Sequence, residues 1–522
     1  MSFTDYLFFP LFLIYAALYH ITPKKIKWFI LLAGGIAFYC TYGAELLPFA
    51  IGACLVAWVG GVAIGKRYEK FDAALSPEAT KEEKAKHNAK AKKGAKGILW
   101  LTVALMLLAL VFVKTQSWLV PKLFGEGRIP VMVPLGISYY TMSLVAYLAD
   151  TYWRKVKAEK NIFKLLTFTM FFPKLLEGPI ARYQAFEKQL SNPKGFDYIT
   201  FCHGLQRMLW GYFKKMCIAD RLSVFVDTVY ESYKTEYGSM LLLATIFAAF
   251  SLYCDFSGCI DIALGAAEAL GIKIEENFKQ PFFSESAAEF WRRWHITLGT
   301  WFKDYIYMPI VINPRMLKIS GSIGKKNKRV GKAFMSVIPL LVVWLLTGLW
   351  HGTGINYIIW GLYWGILIII STVFAPELKK LMLKVTGLLK VDPDGAGYTA
   401  FKRLRTFVLY LISRMIVLSG SVMALGVVIK RQFVAFGPWK LVDKSVYGYG
   451  LDRPNFWLAV LLIIFLVVVE SKQNKGVNFR EEIDKKNIVI RWLVYLFAIF
   501  FVLIFGMYGG GYDAAGFVYM NY

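Results

Sequence analysis

Long apolar runs separated by short basic blocks constrain this chain more than any other feature. The runs include Gly97–Val113, Phe456–Val469, and Val337–Leu349, which continues through a Gly-rich break into Tyr357–Phe374. A stretch of about 18 or more apolar residues can cross the hydrocarbon core of a bilayer, and these segments reach or approach that length. The expected fold class is therefore all-α: a polytopic membrane protein with about a dozen spanning or re-entrant helices, judged by how many bilayer-length runs fit. Lipid replaces the second layer that a soluble domain needs, so the whole of 1–522 reads as one integral membrane domain.

Composition agrees with this reading. Of 522 residues, 57% are hydrophobic and only 18% charged, against about a quarter charged in soluble proteins. The net charge is +26. The cations flank the apolar spans rather than lining one soluble face, which is the distribution of cytoplasmic loops and argues against a nucleic-acid partner. Such charge also attracts anionic lipid or a polyanionic cofactor. The six cysteines are scattered, with no CxxC pair, so neither a disulfide framework nor a metal site is expected. The first run, Tyr6–Tyr19, has no basic segment before it and no small-residue cleavage site after it. It reads as a retained span.

The basic loops set an orientation. Thr22–Lys27, the Lys- and Ala-rich loop 66–97, and Trp153–Lys160 fall on alternate sides in phase. So do Pro376–Arg405 and Ser471–Lys486 from the other end. With basic loops cytoplasmic, both termini are expected outside the cytoplasm. Lys81–Lys96 reads as a solvated helix, charged all round. Gln116–Pro130 reads as a turn region. The segment Asn161–Pro339 does not resolve into clean spans, because Gly, Pro, Asp, Glu and His interrupt it. Irregular or polar backbone at membrane depth is tolerated only where protein or water surrounds it, so function is sought there. This frames three parts: N-terminal spans in 1–130, a catalytic core in 131–375, and C-terminal spans in 376–522. No internal repeat supports a transporter of inverted halves.

Five histidines are available. His20 ends the first span, His87 lies in the charged loop, and His203 starts a helix. His295 belongs to Glu289–Tyr305. At helical spacing Trp291, Trp294, His295, Leu298, Trp301, Phe302 and Tyr305 form one stripe, with Arg292 and Arg293 on the other side. The plain alternative is an interfacial helix with a hydrogen-bonded core histidine. His351 ends an apolar run among Gly348, Gly352 and Gly354, with Trp350 before it and Asn356 after it. An ionisable group inside a membrane run is functional by default, and imidazole suits proton abstraction at neutral pH. A histidine satisfied by a nearby carbonyl is the bland reading. Asp255, Ser257, Asp261, Glu276, Asn277 and Glu289 add polar groups, with the carboxylates expected on Arg292, Arg293 or a histidine. No Walker loop, nucleophile elbow, HExxH or dinucleotide fingerprint is present.

These residues resemble the membrane-bound O-acyltransferase superfamily, in its bacterial polysaccharide branch, which serves alginate acetylation and teichoic-acid D-alanylation. The matching stretches are Pro134–Thr141 with Asp150 and Tyr152, Phe172–Ile180, Asp255–Gly258 with Asp261, Glu276–Phe278 with Pro281, Glu289–His295, Asp304–Pro309 and Leu349–Gly352. The resemblance implies helices around a central tunnel in a bacterial cytoplasmic membrane. It implies His351 as the base on an acceptor hydroxyl and His295 as a positioning or gating group. Asp255, Glu289, Arg292, Trp294, Trp350 and Asn356 support them. The tail Phe517–Tyr522 resembles the branch's aromatic C-terminal motif, which makes Tyr519 the expected acyl carrier; otherwise it is an interfacial aromatic anchor. No bound cofactor is implied. The implied donor is acetyl-CoA, or alternatively an acyl carrier protein thioester. The acceptor is an extracytoplasmic acyl-transferring protein or polysaccharide. Cys259-Ile260 and Ile310–Arg315 depart from the family's pattern, the second in a segment that bears on the donor. D-alanyl transfer to teichoic acid is the alternative reaction, and a lipid or polysaccharide transporter the non-enzymatic one.

Overall fold

The computed structural model describes residues 1–76, 80–124, 133–352 and 354–508. Every regular element among them is helical. Seven helical stretches are long and apolar enough to cross a membrane: Lys24–Ala73, Lys81–Gln116, Gly238–Ala269, Lys328–His351, Ile355–Val373, Arg453–Asn474 and Ile488–Phe505. The first contains two helices, Lys27–Gly43 and Leu47–Ala73. Phe8–Ile21 is a shorter apolar helix. Several spans start on a side-chain cap. Asn327, Asp452 and Asn487 each accept a first-turn amide hydrogen, a contact that stabilises a helix by about 1 kcal/mol.

Two compact units are present. The first comprises Met1–Met208 and Cys259–Glu275. In it the Lys-rich segment from Lys81 onward is part of a continuous helix, Lys81–Phe124, so Gln116–Phe124 is helix rather than turn. The charged half is not solvated all round, either. Ala91 and Ala95, one turn apart, are fully buried against Ile64 and Tyr68, because two small side chains at i and i+4 make a flat seat for a second helix. His87 is drawn in with them: Nε2 lies 2.5 Å from the Phe71 carbonyl and the two rings are 5.0 Å apart. His20 does end its helix, with Nε2 2.8 Å from the Ala269 carbonyl. His203 lies inside, not at the start of, Tyr198–Tyr212.

The second unit comprises Leu209–Gly258 and, of the described residues, 276–508. One clean span was not legible in the broken middle of the sequence: Gly238–Ala269. Its polar residues interrupt the apolar run, but protein partners satisfy them. Within the second unit Ser251 Oγ donates to the Ala219 carbonyl, and Asp255 accepts from Lys215 Nζ at 2.5 Å. In the first, Asp261 accepts from Arg207 Nε at 2.9 Å. The glycine-rich break between Lys328–His351 and Ile355–Val373 sets up a close helix pair. A Cβ on Gly348 would stand 2.5 Å from the Tyr357 carbonyl oxygen, and one on Gly361 2.5 Å from that of Trp344. Only hydrogen fits at either position.

Candidate active site

The Glu289–Tyr305 segment is not one helix. Ala287–Arg293 is capped by Ser286, whose Oγ accepts from the Glu289 amide at 3.2 Å. Trp294 is then extended, and His295 takes the left-handed conformation, φ 45° and ψ 50°. Ile296–Phe302 follows, and then a π-helical turn, Lys303–Tyr307. The single stripe from Trp291 to Tyr305 is therefore corrected to two short helices meeting at His295. A left-handed residue other than glycine costs roughly 1–2 kcal/mol. Tertiary hydrogen bonds offset it. The Lys279 amide donates to the Arg293 carbonyl at 2.9 Å and the Ile296 amide to the Asn277 carbonyl at 3.0 Å. The Asn277 Oδ1 accepts from the Thr297 amide at 3.0 Å and from the Thr297 hydroxyl at 2.9 Å. A side chain 20 positions away in the chain thus supplies the second helix with its start.

The turn carries His295 into the interior, with 2% of its surface exposed. Its Nδ1 lies 3.3 Å from Asn277 Oδ1. An amide oxygen can only accept, so a hydrogen bond here is donated by Nδ1–H, the tautomer that leaves the lone pair on Nε2. Phe256 stands edge-on to the imidazole at 4.8 Å, and Trp350 lies 5.8 Å from it. Burial pushes the His295 pKa well below the ordinary histidine value, and the charge of His351 acts in the same direction.

His351 is the last residue of the Lys328–His351 helix and is buried, 6% exposed. Its ring stands edge-on to Trp350 at 4.8 Å and to Trp360 at 4.9 Å. Trp350 therefore touches both histidines. The indole nitrogens of Trp360 and Trp364 each donate to Ser413 Oγ at 3.0 Å, tethering the wall beside His351. Gly352 lies under the Tyr357 ring and Gly354 under the Asn356 amide. These glycines admit neighbouring parts of the same chain.

The other expected residues divide. Trp294 is buried among Phe278, Tyr410 and Phe290, with centroids at 5.0, 5.4 and 5.5 Å. Asn356 is buried in the first turn of Ile355–Val373. Glu289 pairs with Arg293 at 2.7 Å, as its place one turn earlier suggested. Arg292 is exposed. Asp255 meets a lysine, a partner outside the expected set. Its buried carboxylate binds Lys215, which also reaches Asp220 at 2.8 Å. The next residue, Phe256, is the one that meets His295. Tyr519 lies outside the described residues.

Sequence reasoning missed the roles of Asn277, Phe256, Lys214 and Lys215. The two lysines had a signal, since they interrupt an apolar stretch and buried cations require partners. Lys214 Nζ donates to Ser257 Oγ at 2.8 Å. Both sit in a π-helical turn, Phe213–Ala219, a geometry that clusters at functional sites. No group of three or more His, Cys, Asp or Glu side chains among the described residues is placed to hold a metal ion.

The sequence profile of the membrane-bound O-acyltransferase family matches residues 98–385. A probable alginate O-acetylase of Pseudomonas syringae pv. tomato is 28% identical over 480 residues, 90% of this chain and 82% of its own. A peptidoglycan O-acetyltransferase of Helicobacter pylori is 30% identical over 284 residues, 49% of this chain and 51% of its own. A teichoic acid D-alanyltransferase of Bacillus subtilis is 30% identical over 252 residues, 47% of this chain and 60% of its own.

Proposed function

Because the chain belongs to the membrane-bound O-acyltransferase family, and is therefore an O-acyltransferase, we propose that it carries an acetyl group from cytoplasmic acetyl-CoA to an extracytoplasmic polysaccharide. The observation that carries the reading is the placement of two buried histidines, His351 and His295, against one indole, Trp350. His351 is the base. It takes the proton from an acceptor hydroxyl, the oxygen attacks the thioester carbonyl, and the C–S bond breaks to release the CoA thiol. Tyr519 is the first acceptor. A phenol of pKa near 10 is a poor nucleophile until such a base acts. The acetyl-tyrosine ester then passes its acyl group to a sugar hydroxyl, directly or through an external partner, and the phenol is regenerated. His295, fixed as the Nδ1–H tautomer by Asn277, positions the acyl group. The catalytic core is 131–375, around a tunnel joining the two faces of a cytoplasmic membrane, with both termini outside.

Similarity to a teichoic acid D-alanyltransferase supports a second reading, in which a carrier-protein thioester donates D-alanine. Incubation of the purified protein with radiolabelled acetyl-CoA, followed by peptide mapping, separates the two. Label on Tyr519 that vanishes in Tyr519→Phe and His351→Ala is the expected result. Label only from a D-alanyl carrier protein would replace the donor and the acceptor together. Unchanged acylation with altered glycan export in both variants would favour transport over chemistry.

A further inference from the structure

A cavity of about 370 Å³ in the second unit has neither histidine in its wall. The volume lies within the range of about 300–1,000 Å³ typical of small-molecule sites. Most of its wall is apolar: Phe282, Phe283, Ala396, Ala400 and Val467. Thr399 and two charged residues, Arg403 and Glu470, complete it.

The two charges are not equivalent. Glu470 accepts the Tyr253 hydroxyl and is buried, 4% exposed. Arg403 has donors to spare. Its Nε makes no hydrogen bond among the described residues. Its Nη2 stands 3.9 Å from Glu285 Oε1, beyond hydrogen-bond reach, while Lys402 Nζ takes the other oxygen at 2.5 Å. Arg405 adds a third cation, donating to the Glu285 backbone carbonyl at 2.8 Å. Two cations thus share the Glu285 carboxylate and a third holds its backbone carbonyl, and of the three Arg403 lines the apolar hole. Val467 and Glu470 lie in the last turns of the Arg453–Asn474 span, so this side of the cavity is at the end of a membrane crossing.

We propose that this cavity binds one anionic phospholipid, with an acyl chain against the Phe282, Phe283 and Val467 wall and the phosphodiester on the Arg403 guanidinium. Hydrocarbon fits the apolar lining, which water does not. A phosphodiester monoanion supplies the acceptors that Arg403 needs, in the bidentate geometry that favours arginine. A zwitterionic headgroup would bring a quaternary ammonium beside Lys402 and Arg405. The site also bears on the aromatic cluster around Trp294. Phe282 meets Tyr253 at 5.0 Å and Tyr410 at 5.7 Å, and Tyr410 meets Trp294 at 5.4 Å. The binding itself does not depend on which acyl donor the enzyme uses.

Native mass spectrometry of the detergent-solubilised full chain tests this with phosphatidylglycerol and phosphatidylcholine of matched chains. Wild type is expected to retain a single phosphatidylglycerol in preference by about fivefold, the effect of one well-placed cation near a lipid surface. Arg403→Gln removes the preference, Arg403→Lys keeps part of it, and Ala400→Leu, which fills the cavity, loses the bound lipid of either kind. Lys485→Gln, an exposed cation elsewhere in the unit, leaves the preference intact. Equal retention of the two lipids by wild type overturns the proposal, as does a preference that survives Arg403→Gln. So does displacement of the lipid by acetyl-CoA alone at stoichiometric concentration, which would make the cavity a donor site. Should Ala400→Leu fail to fold, the two arginine variants and the lysine control still decide.

Discussion

At the residue scale, His295 joins conformation to chemistry. Asn277 supports both its left-handed backbone and its Nδ1 contact. Asparagine tolerates the left-handed region better than most residues, so His295→Asn should preserve the turn that His295→Ala strains. We expect His295→Asn to fold with near-native thermal stability and to lose acyl transfer by at least about tenfold, a conservative share of one general acid–base group. An unchanged rate would leave His295 a purely structural role. His351→Ala should cost about a hundred- to ten-thousandfold in the same assay. The depressed pKa of His295 has a consequence for stability. An unfolded histidine gains a proton as pH falls through about 6.5, while the folded one stays neutral to much lower pH. Its stabilising contribution is therefore full above that value and declines below it, by at most about 1.4 kcal/mol per pH unit. Between pH 6.5 and 5, by order of the same estimate, wild type should lose more stability than His295→Gln. Unfolding in detergent at several pH values would show it, and parallel curves would contradict it.

At the scale of elements, two contacts hold the site's helices. The Gly348–Gly361 crossing brings the end of the Lys328–His351 helix against Ile355–Val373. Gly348→Ala should force the helices apart at the Tyr357 carbonyl, destabilising by about 1–3 kcal/mol, and displace His351. Activity should fall with the protein still inserted in the membrane. The second contact is the buried Lys215–Asp255–Asp220 cluster. Lys215→Met leaves two carboxylates without their cation in a buried setting, a change expected to cost about 3–5 kcal/mol. A double change of Lys215 and Asp255 to apolar residues should be milder than Lys215→Met alone. Comparison of the two midpoints checks the pairing. Equal midpoints would mean that the cluster contributes little.

At the scale of the molecule, charge placement sets the expected topology. Basic loops 66–97, 376–405 and 471–486 should all face the cytoplasm. Single cysteines at Lys485 and at Lys440, in a cysteine-free background, should differ in labelling by an impermeant maleimide on intact cells. Only the second should react. The reverse pattern would invert the chain and remove Tyr519 from the side where the proposed relay needs it.

Much was legible in the sequence because the responsible physics is local. Apolar length determines that helices such as Ile488–Phe505 suit a bilayer, whatever they pack against. The joint spacing of motifs from Pro134 to Gly352 determined the family. Gly348, Gly352 and Gly354 beside His351 mark in the sequence itself a place where other parts of the chain can come close. Tertiary structure decided the remainder. The periodicity of Glu289–Tyr305 favours one helix, and it is broken because hydrogen bonds from the Lys279 amide, the Asn277 backbone and the Asn277 side chain outweigh local preference. The polar residues of Gly238–Ala269 break up a segment whose mean hydropathy suits a bilayer, and only the fold shows Lys215 paired with Asp255 inside it. Local preference is additive along the chain and can be read from it. A hydrogen bond to a distant residue depends on where the fold places that residue, and only the folded chain supplies that.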